Sequence, residues 1–394
     1  MASSCRAGAF ASPNNVHLKG REQDRIIAVG RDLRLVIQTL PQYYPIAPTH
    51  RIISLNVEAT VRCLADCFRL LSIQARAARD GSLWLLTPTQ TELQFSVWQL
   101  EQDGTVCVEV SRICGDTMDF HRYARPILDA AEGIFSSADY ENHKNGPAHG
   151  FNSRLLATTM PKGALFGPPH NPTEPLEIAE SMLDNDLLDS QMLGLEMLAI
   201  LTDGNKSTPE TCQLASSAVL HNDKATPYKR ANKIANTICQ LIHKKKSGPE
   251  ETDYDSDDED FEGSIRHNYH RTKEQKATSL LALTILSNAL EVAAATKNRI
   301  DIDAIRRNSV EQTGADVFQY IRSELLGCGA DLNLVCLGIK CLRLACEVDE
   351  GFGEELRSPG MTWLVNQARE TGRLSHWNLE SESCRFLETL NATQ

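Results

Sequence analysis

His267 and His270, three residues apart beside an acidic stretch, have the type and spacing to share a divalent cation. No Cys or carboxylate completes a familiar ligand set around them, so neither a metal nor a cofactor is expected. Cys63 and Cys67 lie one helical turn apart, which suits the flanks of a buried helix face better than a redox couple. The twelve cysteines contain no Cys-x-x-Cys pair, and several sit in apolar helical runs, so they read as reduced. The sequence holds no Gly-x-Ser-x-Gly elbow, Walker loop, dinucleotide fingerprint or His-Glu-x-x-His, and no catalytic residue is assigned. What remains is chemistry done to the chain. Ser256 precedes Asp257-Asp258-Glu259-Asp260, a context for an acidophilic kinase, and Ser309 follows Arg306-Arg307-Asn308, a context for a basophilic one. A phosphate would add up to about two negative charges at either place. The competing reading of residues 250–262, with nine carboxylates in thirteen positions, is an inert solvated spacer. Lys244-Lys245-Lys246 reads as a helix end meeting the negative pole of its dipole, or as part of a nuclear-import signal.

The elements that carry these residues begin with a helix from Val57. Val57, Val61, Leu64, Phe68 and Leu71 follow a 4-3-4-3 spacing that puts them on one face. Ile73, Ala75 and Ala77 then alternate with polar residues, Asp80-Gly81 supplies a tight turn, and 82–87 returns as a partner strand. Leu93, Phe95 and Val97, a turn at Asp103-Gly104, and Val106, Val108 and Val110 form a second hairpin. Asp116 is placed to cap a closing helix with Phe120, Tyr123, Ala124, Ile127 and Ala131 on one side. Pro126 should interrupt or kink that helix.

The run 93–128, LQFSVWQLEQDGTVCVEVSRICGDTMDFHRYARPIL, resembles the kinase-associated domain 1 and the related C-terminal regulatory domain of AMP-activated protein kinases. The positions that carry the likeness are Val108, Glu109, Val110, Arg112, Gly115 and Phe120. The resemblance implies an α+β module in which a helix packs across a small antiparallel sheet, and a surface for a partner such as a kinase or a kinase subunit. Some such modules bind anionic phospholipid, which here would fall to Arg62, Arg69, Arg76, Arg79, Arg112, Arg122 and Arg125. The chain departs from the family in Pro126 and in lacking any kinase catalytic motif.

With 394 residues, the chain has room for two or three domains. Residues 1–20 read as disordered, 21–55 as an amphipathic helix (21–40) and a Pro-rich connector, 56–135 as the sheet module, and 136–173 as a linker. Residues 174–394 read as all-α, with an acidic loop at 247–272. The net charge of −12 lies almost wholly in the second part: residues 1–150 hold 15 basic and 16 acidic side chains, leaving 25 and 36. Such a surface repels a phosphate backbone, so no general nucleic-acid binding is expected. The chain shows neither a signal pattern nor an apolar stretch near the roughly 20 residues that span a bilayer, which points to the cytoplasm, with the nucleus as an alternative.

In the helical part, 193–198, 281–286 and 337–342 line up, with a small residue at Gly194, Ala282 or Gly338 for close packing. An 88-residue separation of the first two copies fits two intervals of 44, with a helix around 231–242 between them, and the third copy needs an insertion. The pattern resembles armadillo and HEAT repeats, which implies peptide or protein binding along a concave face. Thr208-Pro209 and Thr226-Pro227 read as helix starts. The functional expectation is a non-catalytic interaction scaffold or regulatory adaptor tied to kinase signalling, with Trp84, Phe95 and Trp98 as partner contacts. A peripheral membrane adaptor is the alternative, and an unrecognised enzyme comes third.

Overall fold

The computed structural model describes residues 33, 35–40, 43–54, 56–78, 80–100, 105–136, 173–185, 187–220, 231–243, 261–326 and 331–392. Its first part is a six-stranded sheet: β1 (Ile37–Thr39), β2 (His50–Ser54), β3 (Gln74–Ala77), β4 (Leu83–Leu86), β5 (Glu92–Gln99) and β6 (Thr105–Cys114). The order is β2-β6-β5-β4-β3, antiparallel throughout, with β1 added in parallel to β5. β6 pairs with β5 along its whole length, so β4 and β1 share the other edge, at 92–95 and 97–99. The tight turn at Asp80-Gly81 forms, with Gly81 at φ +87° and Asp80 Oδ1 accepting the Ser82 N–H at 2.9 Å.

Two helices cover one face, α1 (Val57–Leu70) and α2 (Thr117–Ala131). Leu64 and Phe68 of α1 and Tyr123, Ala124 and Ile127 of α2 share a core with Leu85, Phe95, Val97, Val108 and Val110. Each of the larger side chains gains about 1.5–3 kcal/mol from leaving water. Asn56 caps α1 and Asp116 caps α2, the latter accepting from both Met118 N and Asp119 N. The interruption expected at Pro126 does not occur: α2 continues for fifteen residues, its far face held by the shared core. The end of the helix expected over 21–40 is also corrected, while 21–32 lies outside the described residues. Residues 37–39 are extended and paired with Val97–Gln99, because the free half of the β5 edge offers ladder hydrogen bonds that an isolated amphipathic turn cannot match.

The second part is helical: α3 (Glu174–Leu183), α4 (Leu188–Leu201), α5 (Pro209–Val219), α6 (Ala231–His243), α7 (Phe261–Ala295), α8 (Ile302–Thr313), α9 (Val317–Leu326), α10 (Leu332–Val348), α11 (Glu350–Leu356), α12 (Pro359–Ser375) and α13 (Trp377–Asn391). Helices α4, α7, α10 and α13 pack side by side in that order as one layer, and α3, α6, α9 and α12 each pack against their layer partner. The three aligned stretches fall on α4, α7 and α10, consecutive members of this layer. Gly194 abuts Ala179 O of α3, and Gly338 abuts Ile321 of α9, where any Cβ would come within 3.0 Å. The spacing needs one correction. Because α4 touches α7 directly, the 88 residues are a single interval with an insertion, and α6 belongs to the other layer. The helix α7 also begins at Phe261, so 261–272 of the expected acidic loop is helical; 247–260 lies outside the described residues.

The expectation that no apolar stretch nears bilayer-spanning length is corrected: the span Lys276–Ala295 of α7 is long and apolar enough to cross a membrane by composition. Its apolarity has a local cause: Ala282, Leu283, Ile285, Leu286, Ala289 and Leu290 are buried in the shared core between α4 and α10.

Candidate functional site

Helix α6 brings the only described histidine that faces a serine hydroxyl into place: His243 Nε2 lies 3.0 Å from Ser309 Oγ on α8. The hydroxyl has one proton, and it donates to Ala315 O at 2.8 Å, so toward His243 it accepts from Nε2–H. That polarity is the reverse of a base activating a nucleophile. Ser309 is fully buried, and Arg306 is held by Asp316 and Glu355 at 2.7 Å each and Arg307 by Asp301. The Arg-Arg-Asn-Ser segment is therefore used inside the fold, and its hydroxyl is reachable only if α8 opens. Ser256 lies outside the described residues.

Burial pushes the His243 imidazole below its ordinary value, with Asp316 pulling the other way. On acidification the unfolded chain then takes up its proton first, so this stability is intact above the ordinary histidine range near pH 6.5 and is lost below it. Melting temperatures should show the gap between wild type and His243→Gln, which keeps a donor and cannot titrate, narrowing from about pH 8 to about pH 5.5. A gap constant over that range would contradict the assignment.

Burial also pushes the Cys239 thiol up to about 11 and those of Cys341 and Cys346 to about 12, so all three stay protonated and unreactive at neutral pH. Among the described residues no three His, Cys, Asp or Glu side chains converge as metal ligands. His267 and His270 fall on α7, but their side chains lie outside the described ones.

The aromatic and basic residues singled out in the sheet module are largely committed to its own structure. Phe95 is 1% exposed and Trp98 7%, and Trp98 Nε1 donates to Glu109 Oε2 at 2.9 Å. Glu109 Oε1 accepts the Ala47 N–H at 2.7 Å, and the Tyr44 ring packs 4.8 Å from Trp98, so the connector is strapped onto the sheet face opposite the helices. Trp84 is half-buried under the Arg76 guanidinium, 5.3 Å away. Arg62 pairs with Glu58 and Arg69 with Glu380, whereas Arg112, Arg122 and Arg125 are exposed and Arg79 lies outside the described residues. The most exposed aromatics among the described residues are others, Tyr43 at 92% and Trp363 at 59%. In sequence, Trp363 differs from a core residue only in falling on the face opposite Met361, Val365 and Ala368.

The sheet module seals one end of the helical stack, with α1 lying against α12 and α13. The two parts keep separate apolar cores and meet through directional polar contacts. Gln74 Nε2 donates to Asp331 Oδ1 at 3.2 Å, Asn378 N to Ser72 Oγ at 3.0 Å, and Arg69 stacks over Trp377 at 5.8 Å. At the centre, Leu379 N–H donates to His376 Nδ1, which leaves Nε2–H to donate to Asn333 Oδ1 at 2.9 Å, and Asn333 Nδ2 reaches Thr87 O at 3.4 Å. His376 is 1% exposed and Asn333 4%. Neither was visible as special in the sequence.

The opposite end of the layer, α4 with its partner α3, has no such cover among the described residues. On α4, Asp189, Leu193, Glu196 and Ile200 follow a 4-3-4 spacing and are all exposed, Leu193 at 51% and Ile200 at 48%. Met197 lies half-buried beside them. A separate open cleft of about 650 Å³ lies where α7 and α10 end, with Lys297, Arg299 and Asp301 facing Glu347, Asp349 and Glu350. Asp349 there spends both oxygens on backbone, accepting from Ile302 N and Phe352 N at 3.2 Å each. Across this cleft Arg299 lies 3.8 Å from Glu350 with both side chains exposed, while Glu347 pairs with Arg343 and Asp301 with Arg307. No protein-family model, curated protein or solved structure matches this chain.

Proposed function

We propose that this chain is a non-catalytic interaction scaffold, in which a sheet module similar to kinase-associated domain 1 caps an armadillo-like stack of three-helix units, α5–α7, α8–α10 and α11–α13. One observation carries the reading: among the described residues the stack is sealed by polar contacts at one end and presents exposed aliphatic side chains at the other. Stacked repeats need polar outer faces at their termini, and an apolar one left open is where a further surface is accommodated. The inverted Ser309–His243 pair and the unreactive thiols also favour binding over catalysis. A link to kinase signalling rests on the module resemblance alone.

The test is the double variant Leu193→Asp/Ile200→Asp in the full chain. Both positions are exposed, so the thermal melt should move by no more than about 0.5 kcal/mol equivalent. Proteins cross-linked to the wild type in its native cell should be lost from the variant. Recovery of the same set at the same yield would remove this end of the stack as the docking surface.

A further inference from the structure

Helix α3 with its C-cap Asp184 and helix α4 carry Glu174, Glu177, Glu180, Asp184, Asp189 and Glu196, and the sequence has no Lys or Arg from 171 to 205. Lys233 of α6, itself exposed, answers Glu180 and Asp184. Glu177, Asp189 and Glu196 make no ion pair among the described residues and are exposed. On α4 the exposed acids alternate with the exposed aliphatics along one stripe, so a ligand that covers Leu193 and Ile200 must lie against Asp189 and Glu196. A second copy of this chain would bring like charges together, and an anionic bilayer would be repelled for the same reason.

We infer that the open end of the stack takes a basic amphipathic helix from a partner protein, its apolar face along Leu193, Met197 and Ile200 and its Lys or Arg side chains against Asp189 and Glu196. This deepens the scaffold reading and rests on it. Helix-on-helix docking of this kind uses apolar anchors at i, i+3, i+4 and i+7, with flanking charge setting partner choice and on-rate.

Two labelled synthetic helical peptides serve as probes, both with Leu at those anchor positions and with either Lys or Glu elsewhere. Fluorescence anisotropy with the full chain should show the Lys peptide binding and the Glu peptide not binding, with the affinity falling as salt is raised. L193D/I200D should weaken the Lys peptide at least about tenfold, and D189K/E196K should reverse the preference between the peptides. Lys-peptide binding untouched by either variant would place it on the acidic stretch 250–262 and overturn both the inference and the docking surface. Equal binding of both peptides, lost in L193D/I200D, would overturn the partner chemistry and leave the docking surface standing. Sedimentation completes the test: a monomer is expected, and a dimer dissolved by L193D/I200D would make the occupant a second copy instead.

Discussion

Gly372→Ala should destabilise the protein by about 1–2 kcal/mol, although the same substitution in a helix ordinarily stabilises. A methyl group at Gly372 would meet Glu380 N at 2.4 Å, Glu380 Cα at 2.8 Å and Leu379 C at 3.0 Å, all backbone atoms of the first turn of α13. No rotamer change relieves such a contact, so α13 must move off α12. Overpacking of this kind costs about 1–3 kcal/mol and sometimes more. The gain in helix propensity offsets at most about 1 kcal/mol of it. The displacement also acts at a distance. Gly372 O accepts from His376 N at 2.7 Å, and His376 is the residue whose side chain caps α13 and holds Asn333. Gly360→Ala, in the first turn of the same helix with nothing within 4 Å, is the control, expected to stabilise by about 0.4–1 kcal/mol. Urea midpoints of the two variants should lie on opposite sides of the wild type. Equal shifts of the same sign would mean that the close approach of α12 and α13 is not as described.

Asn333→Leu should cost about 1–3 kcal/mol and split the unfolding transition. The side chain bridges the parts, accepting from His376 Nε2–H and donating to Thr87 O, and it is buried. Leucine has a similar volume and satisfies neither group, so the buried His376 Nε2–H loses its acceptor at about 1–3 kcal/mol, whereas Thr87 O keeps its bond from Gln90 N at 3.0 Å. Because the apolar cores on the two sides are separate, weakening their polar seam should let the sheet module melt ahead of the helices. Calorimetry of wild type should give one transition, and of Asn333→Leu two. A single transition shifted as a whole would show that the remaining contacts at Arg69, Ser72 and Gln74 suffice for cooperativity.

Much of the local structure was legible because it follows from short-range physics. The 4-3-4-3 run into Phe68 is a helix, the Asp80-Gly81 turn closes a hairpin, Asp116 and Thr208 accept the backbone N–H groups of the helices they precede, and the small residues Gly194 and Gly338 sit where a neighbouring helix comes close. Each depends on residues a few positions apart, and period, φ freedom and capping are properties of such windows.

What escaped depends on partners distant in the chain. Residues 37–39 carry helical spacing yet form a strand, because the vacant half of the β5 edge, sixty residues on, supplies hydrogen bonds. The alternation of β5 shows that it has two faces but not that both are covered, so Phe95 and Trp98 looked available when α1, α2 and the Tyr44–Ala47 strap enclose them. An interval of 88 residues divides evenly by 44, yet packing makes α4 and α7 neighbours and assigns the helix between them to the other layer. The amino-acid order by itself thus determined α1, α2, the two hairpins, most of the later helices with their caps, and the acidic bias of α3 and α4. Only the tertiary structure decided which end of the stack is sealed and which is left uncovered by the described residues, since burial is a property of surfaces that meet, and Asn333, His376 and Thr87 have nothing in common until the fold brings them together.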